Sequence, residues 1–199
     1  MELVSKNTYS NHLLSPRKLS SAGKILIYTT GGLAVGVSIV CIPFVSPALR
    51  KICLPYVPAT TEQLAGVTRA LTGRSGRLLD VGSGDGRIVF TAAKLGFKAD
   101  GVELNPWLVY YSRIAALLIS QSQNTKFYRR NLWTFSLKPY NNIVIFGVEQ
   151  MMAEFESKLL AETASGTVVV ACRFPLPNMV PIETIGHGVD TVWKYVIKR

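Results

Sequence analysis

Charged side chains are sparse in this chain of 199 residues. Asp, Glu, Lys and Arg together make up 17%, against the roughly 25% usual in soluble domains. With 48% hydrophobic residues, that composition excludes a disordered chain and favours contact with a membrane. Cysteine is scarce too. Cys41, Cys53 and Cys172 show neither CxxC spacing nor an even count. A disulfide scaffold or a zinc site is therefore not expected, and a reducing compartment fits. Two histidines, His12 and His187, leave little for imidazole-based metal chemistry, so no metal is expected. There is no Ser-His-Asp arrangement, no paired-acid signature and no internal repeat.

What charge there is leans basic, with a formal net of +10. Residues 1–58 hold six Lys/Arg against the single acid Glu2, and residues 59–199 hold sixteen against eleven. A nucleic-acid binder concentrates such charge in a stripe with interleaved aromatics. In the second part the tight basic pairs are Arg129-Arg130 and, at the end of the sequence, Lys198-Arg199. No nucleic-acid partner is expected; a solvated basic surface or attraction to anionic lipid fits better.

One long run carries no charge at all, from Ile25 to Leu49. As a helix it would extend about 37 Å, enough to cross a hydrocarbon core of about 30 Å. Lys24 stands at one end and Arg50-Lys51 at the other, and Gly32 and Gly36 form a GxxxG spacing that admits a close helix partner. Residues 25–49 are therefore expected to form one transmembrane helix. Residues 1–24 are serine-rich, basic and poor in acids, the composition of a mitochondrial targeting segment. Pro43, Pro47, Pro55 and Pro58 are expected to break the helix and give a linker over 50–58.

From residue 59 to residue 199 strands and helices alternate, which predicts a parallel α/β sheet with helices on both faces. Thr60 or Thr61 caps a first helix that Gly73 and Gly76 stop. Strands are expected at 77–81, 98–102 (ending at Glu103), 125–129, 142–146 and 167–172. Helices are expected at 88–95, from Pro106 to about 120 with Asn105 as N-cap, and at 151–162. Residues 182–185 and 191–197, joined through Gly186-His187-Gly188, suggest a closing hairpin.

The first strand runs straight into Asp80-Val-Gly82-Ser83-Gly84-Asp85-Gly86. Three glycines after a strand allow a tight turn and let backbone approach a ligand. The helix that follows offers N–H groups to an anionic group. Glu103, at the end of the second strand, stands where a carboxylate accepts the hydroxyl protons of a ribose. The spacing is GxGxG, not GxGxxG, with an acid two residues before the first glycine. This resembles motif I of class I S-adenosylmethionine-dependent methyltransferases, with their Rossmann-like, doubly wound sheet.

The resemblance extends along the chain. Tyr56-Val-Pro-Ala-Thr60, Asp80 to Ile88, Glu103-Leu-Asn-Pro-Trp-Leu108, Asn131-Leu-Trp133, Ile145-Phe-Gly147 with Gln150-Met-Met152, Ala171-Cys-Arg-Phe-Pro175 and Gly188 to Trp193 are similar to the mitochondrial lysine methyltransferases of the ATP synthase c-subunit and the adenine nucleotide translocase. The 145–152 and 171–175 stretches look more like the c-subunit branch. That resemblance implies a single-pass enzyme of the mitochondrial inner membrane, in contact with membrane lipid, that trimethylates one lysine of the ATP synthase c-subunit. It further implies that Asp80, Gly82, Ser83, Gly84, Asp85 and Gly86 surround the methionine part of S-adenosylmethionine. Glu103 would hold the ribose, and Leu104 or Trp107 would cover the adenine. Asn131 stands where the family carries an aspartate facing the adenine amino group, and Glu149 where it carries proline.

Phe146, Gln150, Arg173 and Phe174 lie at carboxyl ends of strands, where such folds bind ligands; they are the candidates for the lysine channel. Other readings stay open at this level: the translocase as substrate, a lipid or quinone as methyl acceptor, or a non-catalytic assembly factor working through Gly32 and Gly36.

Overall fold

The computed structural model describes residues 20–45, 57–120 and 123–198. The chain divides into two units, one ending at Ser46 and the other beginning at Pro47. The targeting segment (apart from its last residues), Arg50-Lys51, Tyr56 and most of the 50–58 linker lie outside the described residues.

The first unit contains helix α1, Ser21–Val45. It starts four residues before the expected Ile25, because the Ser20 hydroxyl accepts from the Gly23 N–H at 3.1 Å and closes the N-terminus. Lys24 therefore sits inside the first turn, not beyond the end. Pro43 does not break the helix; it falls within the last turn, two residues before the end at Val45, and leaves one i→i−4 hydrogen bond unmade. Thr29 and Thr30 turn their hydroxyls back onto the carbonyls of Ile25 and Leu26, which satisfies them without water. Ile25, Leu26, Leu33 and Ile39 all point to the outside. By length and composition the stretch 21–39 suffices to cross a membrane.

The second unit is a seven-stranded sheet in the order β3-β2-β1-β4-β5-β7-β6. Its elements in chain order are α2 (Thr61–Ala70), β1 (Arg77–Val81), α3 (Arg87–Lys94), β2 (Lys98–Glu103), α4 (Pro106–Leu118), β3 (Thr125–Arg129), β4 (Asn142–Phe146), α5 (Glu149–Glu162), β5 (Val168–Cys172), β6 (Glu183–Ile185) and β7 (Val192–Val196). The first five strands are parallel. The C-terminal hairpin expected from the sequence is present as β6 and β7, paired antiparallel. β7 is antiparallel and inserts between β5 and β6, so the sheet is mixed and the last strand in sequence is internal.

Period-two alternation divides the core between the faces. Leu78, Val144, Val168, Val170 and Cys172 pack beneath α2, α3 and α4. Leu79, Val81, Ile143, Ile145, Val169 and Ala171 pack beneath α5 with Met152, Phe155 and Leu159. Each of these strands is apolar on both faces because helices cover both. The helix starts follow capping chemistry. Thr60 and Gln63 form a reciprocal capping box on α2. Asn105 accepts from the Trp107 N–H, with Pro106 at the first position of α4. This arrangement leaves the turns after β1, β2, β4 and β5 together at one end of the sheet.

Candidate active site

The loop after β1 is drawn against the end of β2. The N–H groups of Gly82 and Ser83 both donate to the Val102 carbonyl, at 2.9 and 3.1 Å. Gly82, Gly84 and Gly86 all adopt positive φ, at 74°, 54° and 84°, a region that costs other residues energy. At Gly86 a side chain is also excluded sterically, since a Cβ would sit 2.8 Å from the Phe127 ring.

Glu103 ties this loop to the next one. Its Oε2 accepts from the Gly84 N–H at 3.1 Å, and its Oε1 accepts from the N–H groups of Leu104 and Asn105, both at 2.7 Å. Each carboxylate oxygen accepts about two hydrogen bonds, so the open position is on Oε2. Ser112 of α4 donates to the Gly84 carbonyl, which fixes the loop from a third side.

Asp80 is 1% exposed, and its Oδ1 has no hydrogen-bond partner; neither has the buried Ser83 hydroxyl. Burial pushes the Asp80 carboxyl well above the usual carboxylate range, and repulsion from Glu103 and Asp85 adds to it. A buried acid without a partner, flanked by two more carboxylates, calls for a cationic ligand. S-adenosylmethionine fits that requirement with its α-ammonium and sulfonium charges.

Sequence reasoning missed a link next to this loop. Arg87, in the first turn of α3, pairs with Asp85 and donates to the Ala59 carbonyl at 2.6 Å. Thr60 in turn donates to Asp190 at 2.8 Å, and Gln63 donates to the Val189 carbonyl. The segment before α2 is thereby fastened to the motif loop and to the turn before β7. Arg87 stood inside the quoted motif, but nothing in the motif revealed what it reaches.

The remaining candidates occupy the same end of the sheet on different surfaces. Phe146 ends β4 opposite Cys172, half-buried on the α2–α3–α4 face that Asp80 shares. Gln150 is exposed in the first turn of α5, which begins at Glu149, two residues before the expected Met151. Arg173 follows β5 with φ 73°, an uncommon conformation for a residue with a side chain, and its N–H donates to the Thr191 carbonyl. Phe174 packs on the opposite face, with the α5 cluster. Leu104 and Trp107 are each about half exposed beside the Glu103 loop. Asn131 caps a short 3-10 turn, its side-chain oxygen accepting from the Trp133 N–H at 3.0 Å.

Two expected results follow from this geometry. The ionised form of Asp80 is the one that would pair with a cofactor ammonium, so S-adenosylmethionine should bind more tightly as pH rises toward the raised Asp80 value and then level off. Asp80→Asn should flatten that profile and weaken binding about 10–100-fold, one charge-assisted hydrogen bond; isothermal titration across pH reads both. For a carboxyl whose folded value is raised, stability is present at low pH and lost as pH rises through it. The cofactor-free variant should therefore melt higher than wild type at neutral pH. Asn131→Asp keeps the cap and, where the family resemblance puts adenine, would offer its amino group a charged acceptor. It should tighten cofactor binding about 3–10-fold, and an unchanged Kd would remove Asn131 from the adenine site.

Comparison with known proteins agrees with the geometry. Residues 80–183, more than half of the chain, match the family model of the ANTKMT methyltransferase domain. Residues 17–50 match that of the N-terminal domain of the ATP synthase c-subunit lysine N-methyltransferases. The chain is 53% identical over 173 residues, 87% of its length and 76% of the relative's, to a Xenopus laevis protein named as the ATP synthase c-subunit lysine N-methyltransferase. It is 37% identical to the Mus musculus adenine nucleotide translocase lysine N-methyltransferase, covering 85% of this chain and 76% of that one. Among solved structures, an RNA methyltransferase from Salinibacter ruber in complex with S-adenosyl-L-homocysteine superposes with a TM-score of 0.64 at 27% identity. That match covers 71% of this chain and 94% of the other. Fold, loop and relatives converge: this chain is a class I S-adenosylmethionine-dependent methyltransferase and belongs to the lysine N-methyltransferase family of those frog and mouse enzymes.

Proposed function

We propose that the chain is a mitochondrial, membrane-anchored protein-lysine N-methyltransferase whose substrate is a loop lysine of the ATP synthase c-subunit, brought to the trimethylated state. The observation that carries this reading is the match of residues 17–50 to the N-terminal domain of the enzymes named for that substrate. The higher identity to the c-subunit enzyme than to the translocase enzyme supports it. The span of α1 and the serine-rich, acid-poor start of the sequence support the anchor and the compartment.

The chain's residues divide the work. Asp80 pairs with the cofactor ammonium, Glu103 takes a ribose hydroxyl on Oε2, and Asn131 faces the adenine amino group. S-adenosylmethionine, when bound, supplies a methyl group on a sulfonium, and transfer forms an N–C bond as the C–S bond breaks. The attacking lysine must be neutral, although its ordinary pKa is about 10.4. Phe146 lowers the local polarity, and the positive Arg173 disfavours a second cation beside it; both push the lysine toward its neutral form. Gln150 orients the amine, while Phe174, packed with the α5 cluster on the other face, holds the turn after β5. Alignment of amine, methyl and sulfur then supplies much of the rate.

The test is mass spectrometry of c-subunit and translocase lysines from mitochondrial membranes with and without this protein. Loss of methyl groups from the c-subunit alone is expected. Loss from the translocase alone moves the chain to the other substrate, and no change in either overturns the reading.

A further inference from the structure

The outer face of α4 is apolar and uncovered. Trp107, Tyr110, Tyr111, Ile114, Leu117 and Leu118 are all exposed, Leu117 to 68% and Leu118 to 80%. At 100° per residue these six fall within a sector of about 120°, one continuous stripe. The opposite side of the helix, with Leu108, Val109, Ser112 and Ala116, is the side buried against the sheet. α4 is thus a core helix on one side and bears a second apolar face on the other. Soluble monomers seldom expose so large a contiguous patch without a use for it. The stripe runs into a shallow trough between α4 and the edge strand β3, lined by Arg113, Ala116, Leu117, Lys126 and Tyr128.

Charge selects the occupant. From Leu104 to Val148 the chain carries five basic residues, Arg113, Lys126, Arg129, Arg130 and Lys138, and no acid. Lys126, Arg129 and Arg130 are exposed along or just after β3. A second copy docked two-fold on this face would set its own positive charge against itself. An anionic bilayer presents the opposite charge together with an apolar interior. Trp and Tyr at the stripe's margins are the side chains that settle at headgroup depth. Fourteen peptide units separate Val45 from Ala59, a reach of at most about 50 Å. A chain anchored by α1 therefore keeps this domain within range of the bilayer surface.

We propose that α4 is an interfacial membrane-binding face. Its stripe from Trp107 to Leu118 enters the headgroup region of an anionic bilayer, and Lys126, Arg129 and Arg130 contact lipid phosphates. The proposal takes from the anchored reading only the delivery of the domain to the membrane. Trp107 begins the stripe beside the Glu103 loop, so the same contact sets the cofactor end of the sheet at headgroup level, where a membrane-protein loop emerges.

The experiment mixes the full chain with vesicles of phosphatidylcholine and phosphatidylglycerol, with and without bromine on the acyl chains. Bromolipid quenches tryptophan by contact. Wild-type emission should be quenched, less so without phosphatidylglycerol. The quenched component should vanish in Trp107→Phe, which retains Trp133 and Trp193, and in Ile114→Glu/Leu118→Glu. The double variant alters two exposed positions and should keep its melting temperature and cofactor Kd. Equal emission in brominated and ordinary lipid overturns the proposal. So does concentration-dependent self-association that the double variant abolishes, which assigns the stripe to a second copy. Carbonate extraction reads the anchor separately: release of the chain sinks the transmembrane reading and leaves the quenching result to decide α4.

Discussion

Replacing Glu103 with alanine is expected to raise the S-adenosylmethionine Kd by at least about a hundredfold. The carboxylate accepts three backbone N–H groups, from Gly84, Leu104 and Asn105, and only the open position on Oε2 is left for a ribose hydroxyl. Alanine removes the acceptor for the sugar and also releases the loop. Charge-assisted hydrogen bonds contribute about 1.5–3 kcal/mol each, so losing two in effect multiplies Kd by about 10²–10⁴. Glu103→Gln separates the two roles. It keeps one carbonyl oxygen for the backbone, so the melting temperature should stay near wild type while cofactor binding is still lost. Titration calorimetry beside a thermal melt decides this. Unchanged affinity in the glutamine variant would mean that Glu103 serves the fold alone.

Gly101→Ala should have a comparable effect from a position that touches no ligand. Gly101 lies in the middle of β2, beneath the motif loop. A Cβ there would sit 2.6 Å from the Ser83 hydroxyl, 2.7 Å from its Cβ and 3.0 Å from the Phe127 ring. The hydroxyl can rotate away; the Cβ can move only with the loop backbone. Overpacking of this kind costs about 1–3 kcal/mol. The melting temperature should fall by about 3–12 °C, and methyl transfer should fall further than stability alone accounts for, because Gly82, Ser83 and Gly84 move together. A variant with wild-type turnover at a temperature where it remains folded would show that the loop tolerates the shift.

Gly101 marks the boundary of what was legible in the sequence. β1, β3 and β4 were readable to the residue, since short apolar runs in β1 and β4, alternation in β3, and the flanking Gly and Asn are local signals. The capping of α2 and α4 was equally local, through Thr60 and Asn105. The GxGxG loop and the spacing to Glu103 mark the cofactor end of the sheet in the sequence itself. The unreadable features depend on residues far apart in the chain. A glycine inside a strand reads the same whether or not Ser83 presses on it. The reach of Arg87 to Ala59 crosses 28 positions. The order of β5, β7 and β6 depends on pairings that no periodicity encodes. Residues 107–118 carry apolar side chains on two sides of the helix, and only burial separates the side that packs from the side that does not.

The internal position of β7 has a consequence for biosynthesis. Until residues 192–196 exist, β5 has no neighbour on that side and β6 has no partner at all. The first helix of the domain waits as well: Gly66 of α2 packs so closely on Val192 that a Cβ would lie 2.9 Å from its methyl. Joining the two ends of a domain in this way imposes a late, non-local closure step. Until residues 192–196 emerge, the nascent domain carries an open edge on β5, a template for pairing with other chains. Shortening the sequence before Val192 should therefore leave no folded remainder, while most of the sheet would already have been translated.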